Sequence, residues 1–261
     1  MENSTTYTVV PGIPLINPGD DLPQIVLREM AAVGMALQDG DVVIFAQKVV
    51  SKSEGRLVPL DTVVPSARAL EVAKVTEHDP RLDEVILRES NEVLKVRKGL
   101  LIVEQRTGFI CANAGVDRSN IEPADGEIVV SLLPLDPDAS ARSLRDRLCA
   151  LSGVRVAVLI IDTHGRAFRN GVVGTTIGVA GLLPLRDARG EADLFGFHLQ
   201  HTIICTADEI AAGASMLMGQ SGEGRPVIVV RGARYERGEG SVADIIRERA
   251  LDLFRPEALP L

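Results

Sequence analysis

Four short apolar runs rich in β-branched residues set the strongest limit on how this chain can fold. They are "DVVIFAQ" at 41–47, "LLIVE" at 100–104, "VRVAVLIID" at 154–162 and "PVIVVRG" at 226–232. Runs of this length and composition are typical of buried β-strands. None approaches the roughly 18 apolar residues that a membrane-spanning helix needs. The sequence therefore predicts a protein built around a buried sheet.

Helical patterns lie between these runs. Apolar residues share one face of a predicted helix in three places: Leu22, Ile25, Val26, Met30 and Val33; Leu82, Val85, Ile86, Val93 and Leu94; and Leu144, Leu148 and Leu151. Thr206 and Glu209 have the spacing of a capping box, and Gly219 is placed to end the helix that follows. The stretch "GEGSVADIIRERALDLF" predicts a last helix beginning at Ser241.

Strands and helices do not alternate strictly, and several strands follow one another with only loops between them. This order favours a mixed α+β fold, with largely antiparallel sheets and flanking helices, over a doubly wound sheet. The Pro-, Asp- and Ser-rich segment "LLPLDPDASA" at 132–141 either separates the chain into lobes or simply turns it.

Charge and composition exclude several classes of protein. The net charge of −8 opposes binding to a nucleic-acid backbone, and the absence of Trp leaves little aromatic surface for stacking bases. Three cysteines without a CxxC pair suit a reducing cytoplasm better than a disulfide framework. The N-terminus has no basic start followed by an apolar run, so we expect neither export nor membrane insertion.

The two familiar phosphate-binding motifs, GxxxxGK[ST] and GxGxxG, do not occur, so a P-loop or Rossmann site is not expected. A first candidate site is "AQKVVSKSEGR" at 46–56, where Lys48, Ser51, Lys52 and Arg56 follow a predicted strand. Chain segments that leave a sheet often carry ligand contacts. The alternative is a solvated edge with lysines for solubility.

A second candidate is "RTGFICANAGVDRSNIEP" at 106–123, which carries Arg106, Asn113, Asp117 and Asn120 on a glycine-containing loop. A carboxylate such as that of Asp117 is a suitable ligand for a hard cation. The alternative is a connector made of Asx turns.

Two further candidates follow later in the chain. In "LIIDTHGRAFRNG" at 159–171, Asp162 and Thr163 end a strand, and Arg166 and Arg169 come within reach of an anion; a plain cap or turn is the alternative. In "MLMGQSGEGRP" at 216–226, a glycine-rich loop after a helix lets backbone amides approach a nucleotide, unless it is only a long turn into the next strand.

Two weaker patterns have structural interpretations. In "HLQHTIIC", a strand would divide His198, His201 and Cys205 between two faces, which favours surface or core histidines over a zinc site. The glycine-rich segment "NGVVGTTIGVAGLLPL" at 170–185 predicts close backbone packing, with a subunit contact as one use.

Taken in order, the motifs resemble one family. "GIPLINPGDDL", "DVVIFAQKVVSKSEGR", "RTGFICANAGVDRSN", "LLPLDPDASA", "IIDTHGRAFRNG" and "ADEIAAGASMLMGQSGEGRPVIVVRG" are similar to motifs of the coenzyme F420-0:γ-glutamyl ligases, and the resemblance runs from about residue 11 to residue 232. Some relatives carry an additional nitroreductase-like domain; this chain resembles the free-standing ligase, as a single unit over residues 1–261.

The resemblance implies an amide ligase that depends on GTP and a divalent metal. It would add L-glutamate to the lactyl-phosphate arm of the deazaflavin coenzyme F420-0 and then extend the tail by γ-linked glutamates. Mg²⁺ or Mn²⁺ would be the metal, with K⁺ as a further candidate cation. The family works as an intertwined homodimer of two-lobed subunits, which would centre the second lobe on roughly residues 110–200.

The resemblance also implies site residues. Metal-ligand positions fall on Asp117, Asp162, Thr163 and Gln220. GTP-binding positions fall on Ile13, Pro14, Leu15, Ile16, Gln47, Lys48, Lys52, Asn120, Met218, Gly219, Gln220, Ser221, Gly222, Glu223, Gly224 and Arg225. Gln47 stands where some relatives have serine, and an amide such as Gln220 is a weaker metal ligand than a carboxylate.

Catalysis would rest on charge neutralisation during phosphoryl transfer. Asp117 and Asp162 would hold the cation, while Lys52, with Arg56 as a second candidate, would offset developing charge. No general base is assigned. Three alternatives stay open at this point: a related ligase with another acceptor, a non-catalytic GTP-binding regulator, and a structural dimer without a ligand.

Overall fold

The computed structural model describes residues 4–121, 127–252 and 255. Its strands are β1 (Thr6–Val9), β2 (Val42–Ala46), β3 (Leu57–Pro59), β4 (Ser90–Arg97), β5 (Leu100–Gln105), β6 (Ile110–Ala112), β7 (Val129–Ser131), β8 (Ala157–Arg166), β9 (Arg169–Ala180), β10 (Leu185–Asp187), β11 (Ile203–Cys205) and β12 (Val227–Arg231). Its α-helices are α1 (Leu22–Ala32), α2 (Gln47–Ser53), α3 (Ala67–Thr76), α4 (Pro80–Arg88), α5 (Pro137–Ser152) and α6 (Thr206–Met218).

The central sheet has five strands in the order β1-β12-β2-β8-β9. Among the described residues, only the β2–β8 pair is parallel; the other neighbours in this sheet, and the strands of three smaller sheets, pair antiparallel. The predicted α+β class with largely antiparallel sheets is confirmed. All four predicted strands are present, as β2, β5, β8 and β12.

Both faces of the central sheet are covered by helices, as the near-continuous apolar runs require. Val43 and Phe45 of β2 pack with α1 and α5 on one face, while Val42 and Ile44 pack with α6 on the other. All four of these side chains are fully buried. No helix in the described ranges has the length and apolar character needed to cross a bilayer.

Two helix predictions need correction, and a third is confirmed. Val93 and Leu94 do not extend the second helix: α4 ends at Arg88, and both residues lie in β4, where Val93 pairs with Val103 of β5. Thr206 is not an N-cap, because it is already inside α6, whose N-cap Cys205 has no side-chain capping bond. Gly219 does end α6, with a positive φ of 76° that suits glycine.

The predicted last helix is also wrong within the described residues. Ser241 and Asp244 form a capping box, but it closes only the 3₁₀ turn Val242–Asp244. The Ser241 hydroxyl and the Val242 amide both donate to the buried carboxylate of Asp138 in α5. These hydrogen bonds attach the segment to α5, and no α-helix follows it within the described residues. The end of the predicted helix, at 253–254, lies outside the described residues.

The glycine-rich segment packs closely against helices on both faces of β9, as predicted. A Cβ at Gly174 would lie 2.4 Å from the Cβ of Ser215 in α6. A Cβ at Gly178 would lie 2.4 Å from the carbonyl oxygen of Pro137 in α5. Glycine at these two positions therefore sets how closely α5 and α6 approach the sheet.

Replacing Gly178 with alanine is expected to lower the free energy of unfolding by about 1–3 kcal/mol, because the new methyl group meets backbone that cannot rotate away. Urea unfolding would measure the change. Gly165→Ala is the matched control in the same hairpin, since no atom of the part of the chain that the structure describes lies within 4 Å of its Cβ position; it should stay within about 0.5 kcal/mol of the parent. Equal stability of the two variants would contradict the packing argument.

Candidate functional site

One cavity of about 600 Å³ gathers residues from each of the four candidate segments. The predicted residues that line it are Ile13, Pro14, Leu15, Ile16, Gln47, Lys48, Lys52, Asp117, Asn120, Asp162, Thr163, Met218, Gly219, Gln220, Ser221, Gly222, Gly224 and Arg225. Glu223 is the one predicted site residue that does not. Its carboxylate accepts the Ser221 amide at 2.8 Å and so folds back on the loop.

The parallel pair β2–β8 explains why two distant segments meet here. Ala46 at the end of β2 pairs with Ile161 of β8, so the residue that follows each of them lies at the carboxyl end of β2. These residues are Gln47, which begins α2, and Asp162. The prediction that Asp162 and Thr163 end a strand is wrong, because β8 continues to Arg166 and both residues pair with β9, Asp162 with Thr175 and Thr163 with Gly174. Ligand sites are common at the carboxyl ends of strands in parallel pairs, and here that end belongs to β2. Helix α2 then turns Lys48 and Lys52 toward the cavity.

Lys48, Asp117 and Ser119 form a charged cluster in the cavity wall. The Lys48 ammonium donates to Asp117 Oδ2 at 2.6 Å and to Ser119 Oγ at 2.6 Å. The Ser119 amide and hydroxyl also donate to the Asp117 carboxylate. Burial opposes ionisation of Asp117, but the bonds from Lys48 and Ser119 outweigh it and lower its pKa. Asp117 is therefore a carboxylate at neutral pH.

Asp162 has a different environment. Burial raises its pKa above the ordinary value, and the negative charge of Asp117 adds to that shift. The nearest cationic candidate on its own strand is His164, whose Nε2 lies 3.7 Å from Asp162 Oδ2, too far for a hydrogen bond. Burial lowers the pKa of His164 and so favours its neutral form. The cavity thus holds two carboxylates of unequal basicity.

Two loops that are far apart in sequence close the cavity together. Lys52 Nζ donates to the Asn120 carbonyl at 2.6 Å, and Asn120 Nδ2 donates to the Ser221 carbonyl at 3.0 Å. Asn120 has a φ of 55°, a left-handed conformation that asparagine tolerates better than most residues. Asn120 therefore links the loop after β6 to the glycine-rich loop after α6.

The side chains of both glutamines of the predicted site contact neighbouring residues. Gln47 is buried, and its Nε2 donates to Ser51 Oγ and to the Leu132 carbonyl. Gln220 Nε2 donates to Ser215 Oγ at 3.0 Å. Gln47 thus donates two hydrogen bonds from its amide nitrogen within the protein, and Gln220 donates one.

Several residues of the candidate motifs lie outside the cavity. Arg56 binds the Leu133 carbonyl and Glu89 instead, so its suggested role beside Lys52 has no support from its position. Asn113 Oδ1 accepts a hydrogen bond from the Leu101 amide, so this side chain stabilises a turn. Arg106 is exposed near Glu89, and Arg166 and Arg169 lie at the exposed β8–β9 turn. His198 and His201 are exposed, as surface histidines would be.

Sequence reasoning missed two polar residues that line the cavity, Ser119 and Ser215. Ser119 lies two residues after Asp117, and an Asx-type turn at that position was a usable signal. Ser215 had no comparable signal, because it sits on the buried face of α6 and its partner Gln220 follows the helix end.

The chemistry of the donor set fits a divalent cation. Asp117, Asp162, Thr163 and Gln220 offer carboxylate, hydroxyl and amide oxygens at one cavity, and Mg²⁺ or Mn²⁺ prefers oxygen ligands. No group of three or more His, Cys, Asp or Glu side chains able to hold a metal occurs among residues 4–121, 127–252 and 255. Two carboxylates suffice for Mg²⁺ when substrate phosphates complete the coordination.

Residues 12–232 match the model of the family described as F420-0:Gamma-glutamyl ligase. Coenzyme F420:L-glutamate ligase from Methanothermobacter thermautotrophicus is 44% identical, with 94% of this chain and 97% of the relative covered. The protein of the same name from Methanocaldococcus jannaschii is 43% identical, with 93% of this chain and 94% of the relative covered. The one from Methanopyrus kandleri is 47% identical, with 92% of this chain and 93% of the relative covered.

Proposed function

The chain belongs to the F420-0:γ-glutamyl ligase family, and from that premise we propose that it joins L-glutamate to coenzyme F420-0. We propose further that it uses GTP and a divalent metal, and that it extends the product by γ-linked glutamates. The observation that carries this proposal is the single cavity in which 18 of the 19 predicted site residues meet. The curated relatives, named as ligases of coenzyme F420 and L-glutamate, support the choice of substrates.

The chemistry requires activation of a carboxylate, because forming an amide from a carboxylate and an amine in water is uphill. In the proposed route, a carboxylate oxygen of the acceptor attacks the γ-phosphorus of GTP, the bond to the β-phosphate oxygen breaks, and GDP leaves. The amine of glutamate then attacks the acyl phosphate, and inorganic phosphate departs with the former carboxylate oxygen. The amine must lose a proton in this second step, and no base is assigned to it.

The residues of the cavity suit the first step, which depends mainly on positioning and charge neutralisation. Lys48 and Lys52 place two ammonium groups beside the loop that runs from Met218 to Arg225. Backbone amides of that loop offer further donors for phosphate oxygens. Local cations of this kind allow a protein with a net charge of −8 to bind a triphosphate.

The cation would be held by Asp117, Asp162, Thr163 and Gln220. When bound, it would supply Lewis-acid neutralisation of charge on the phosphate oxygens. Lys48 contributes separately, because its ammonium pairs with Asp117 and keeps that carboxylate ionised. Asn120 holds the two loops together through Lys52 and Ser221.

Binding of GTP is testable by thermal unfolding. GTP with Mn²⁺ at 100 times its Kd should stabilise the protein by about 2.7 kcal/mol, a rise in Tm of roughly 5–10 °C for a chain of this size. Lys52→Met should remove most of this shift at the same GTP concentration. Lys74→Met is the matched control, since Lys74 is an exposed lysine of α3 that pairs with Glu71. No shift with the parent protein would contradict the proposed nucleotide site.

The family resemblance also leads us to propose a homodimer that works in the cytoplasm. The loop between β10 and β11 supports an apolar contact, because Leu194 and Phe195 are each at least 95% exposed while Asp193 orders that loop through the amides of Phe195 and Phe197. Light scattering should give a mass about twice 27.9 kDa; a monomer at micromolar concentration would contradict the dimer.

The cysteines support the proposed compartment. All three are unpaired, which suits a reducing compartment such as the cytoplasm.

A further inference from the structure

Arg166 and Arg169 face each other at the turn that closes the β8–β9 hairpin. They are direct antiparallel partners in the register of the two strands, and both are exposed. The side chains of directly opposite residues lie on the same face of a sheet, and two like charges in that arrangement destabilise the pair of strands. The fold therefore keeps two cations together where their mutual repulsion costs stability.

The charge of this arginine pair is not neutralised by a neighbour in the part of the chain that the structure describes. Within residues 4–121, 127–252 and 255, no carboxylate forms an ion pair with Arg166 or Arg169. Arg166 Nη2 donates to the Asn170 carbonyl at 3.5 Å, which is long for a hydrogen bond. Both guanidinium groups can therefore bind an anion from outside without first breaking an ion pair to these residues.

The strand that carries Arg166 also lines the cavity. Asp162 and Thr163 of β8 lie in the cavity wall, and β8 runs on to Arg166. At about 3.3 Å per residue, the Cα atoms of Asp162 and Arg166 are roughly 13 Å apart, and alternation of side chains places both residues on one face of the strand. An extended arginine side chain spans roughly 7 Å. The Arg166 guanidinium can therefore cover about half the distance from the turn to Asp162.

The acceptor of the proposed reaction carries an anion at a matching distance. In its lactyl-phosphate arm, three bonds join the carboxylate carbon to the phosphorus, a span of roughly 4 Å. With the reacting carboxylate in the cavity beside Asp162 and the arm extended along β8, the phosphate lies between the cavity and the turn. Guanidinium groups bind phosphate oxygens through paired N–H donors, so two arginines that face each other can contact one phosphate together.

We propose that Arg166 and Arg169 bind the phosphate of the acceptor's arm and thereby select an acceptor that carries an anion beside the reacting carboxylate. The inference rests on the proposed function, because it takes coenzyme F420-0 as the acceptor. It assigns to the two arginines no contact with the reacting atoms. It also predicts that their charges stabilise the complex with the acceptor and not the unliganded protein.

The double variant Arg166→Gln/Arg169→Gln tests this inference. Binding of F420-0 to the full-length protein would be measured by isothermal titration calorimetry, with Mn²⁺ and with GDP in place of GTP so that no turnover occurs. The affinity for F420-0 should fall about tenfold, as expected for the loss of two partly exposed ion pairs. Added NaCl should weaken binding to the parent more than binding to the variant. The Tm of the unliganded variant should equal or exceed that of the parent, because a repulsion has been removed.

The next hairpin along the chain provides a matched control. The exposed arginines of the β10–β11 hairpin already have carboxylate partners: Arg186 pairs with Glu191, and Arg189 pairs with Asp187. Arg186→Gln/Arg189→Gln removes the same number of positive charges, so any effect of net charge alone is the same in both variants. The affinity of this control for F420-0 should stay within about twofold of the parent.

Steady-state kinetics distinguish the phosphate of the acceptor from the carboxylates of glutamate, the other anions that the arginines could bind. Arg166→Gln/Arg169→Gln should raise the KM for F420-0 and leave the KM for glutamate within about twofold of the parent. A rise in the KM for glutamate alone would overturn the inference. An affinity for F420-0 equal to that of the parent, or an equal loss in the control variant, would overturn it too.

Two results separate this inference from the proposed function. If F420-0 binds through the two arginines but no glutamylated product forms with GTP, the inference stands and the proposed ligation falls. If the parent protein binds no F420-0, the inference and the proposed choice of acceptor both fall.

Discussion

Replacing Asp117 with asparagine is expected to lower the rate of ligation about 10³-fold or more while leaving the protein folded. The change removes the negative charge that faces Lys48 and would hold the cation, and it keeps the shape of the side chain. A single well-placed electrostatic contact in a transition state commonly contributes 10²–10³ in rate, and loss of a metal ligand should cost at least that much. Product formation at saturating GTP, followed by mass spectrometry, would measure the effect.

The fold of Asp117→Asn should survive because the Lys48–Asp117 pair is partly exposed, and such pairs contribute only about 0–1 kcal/mol. A drop in Tm of a few degrees at most follows for a chain of this length. Asp146→Asn is the matched control: Asp146 is an exposed carboxylate of α5 bound to Arg145, and its loss should leave ligation unchanged. Near-normal turnover by Asp117→Asn would remove Asp117 from the mechanism.

Asp162→Asn is expected to lower the rate of ligation about as much as Asp117→Asn does. Its effect on stability should be the opposite, because it should stabilise the unliganded protein. Burial raises the pKa of Asp162 in the folded protein. Between its ordinary pKa and this raised value, the folded state holds more protons than the unfolded state, so stability falls as pH increases through that window. Above the window the ionised carboxylate destabilises the unliganded protein. Asparagine does not titrate and removes that cost.

The unliganded Asp162→Asn protein should therefore have a Tm at pH 8 at least equal to that of the parent, and its advantage should shrink as the pH is lowered toward 5. Differential scanning calorimetry at both pH values would measure this. Asp117→Asn is the natural comparison, because Lys48 and Ser119 lower the pKa of Asp117 and its loss should reduce Tm slightly. A lower Tm for Asp162→Asn at pH 8 would mean that the carboxylate stabilises the fold, contrary to its environment.

Three strands of the central sheet, β2, β8 and β12, were predictable because they are short apolar runs whose composition alone separates them from exposed segments. The edge strands β1 and β9 were not predicted, because neither is an uninterrupted apolar run. Helix boundaries were less predictable than these strands. The apolar spacing that predicted one helix through Leu94 mixed the inner face of α4 with that of β4, and only the pairing of Val93 with Val103 decides between them. At Ser241, the local signal for a helix start was real, but contacts with Asp138 determined what followed.

Much of the cavity was predictable because the family motifs carry its residues. The contacts that shape it were not. Asn120 and Ser221 are 101 residues apart, and no local pattern shows that they meet. Arg56 illustrates the reverse case: it follows two cavity lysines in sequence, yet it points to Glu89 and Leu133. Residue types suggested the chemistry, while tertiary packing decided which of them share the site.

The most direct test of the central claim is mass spectrometry of the purified protein after incubation with coenzyme F420-0, L-glutamate, GTP and Mn²⁺, with controls that omit each component. The proposed function predicts a ladder of products spaced by one glutamate residue, with GDP and phosphate formed alongside, and no product when any component is missing. GTP binding without any glutamylated product would contradict the proposed function and would point to a different acceptor or to a site that binds the nucleotide without catalysis.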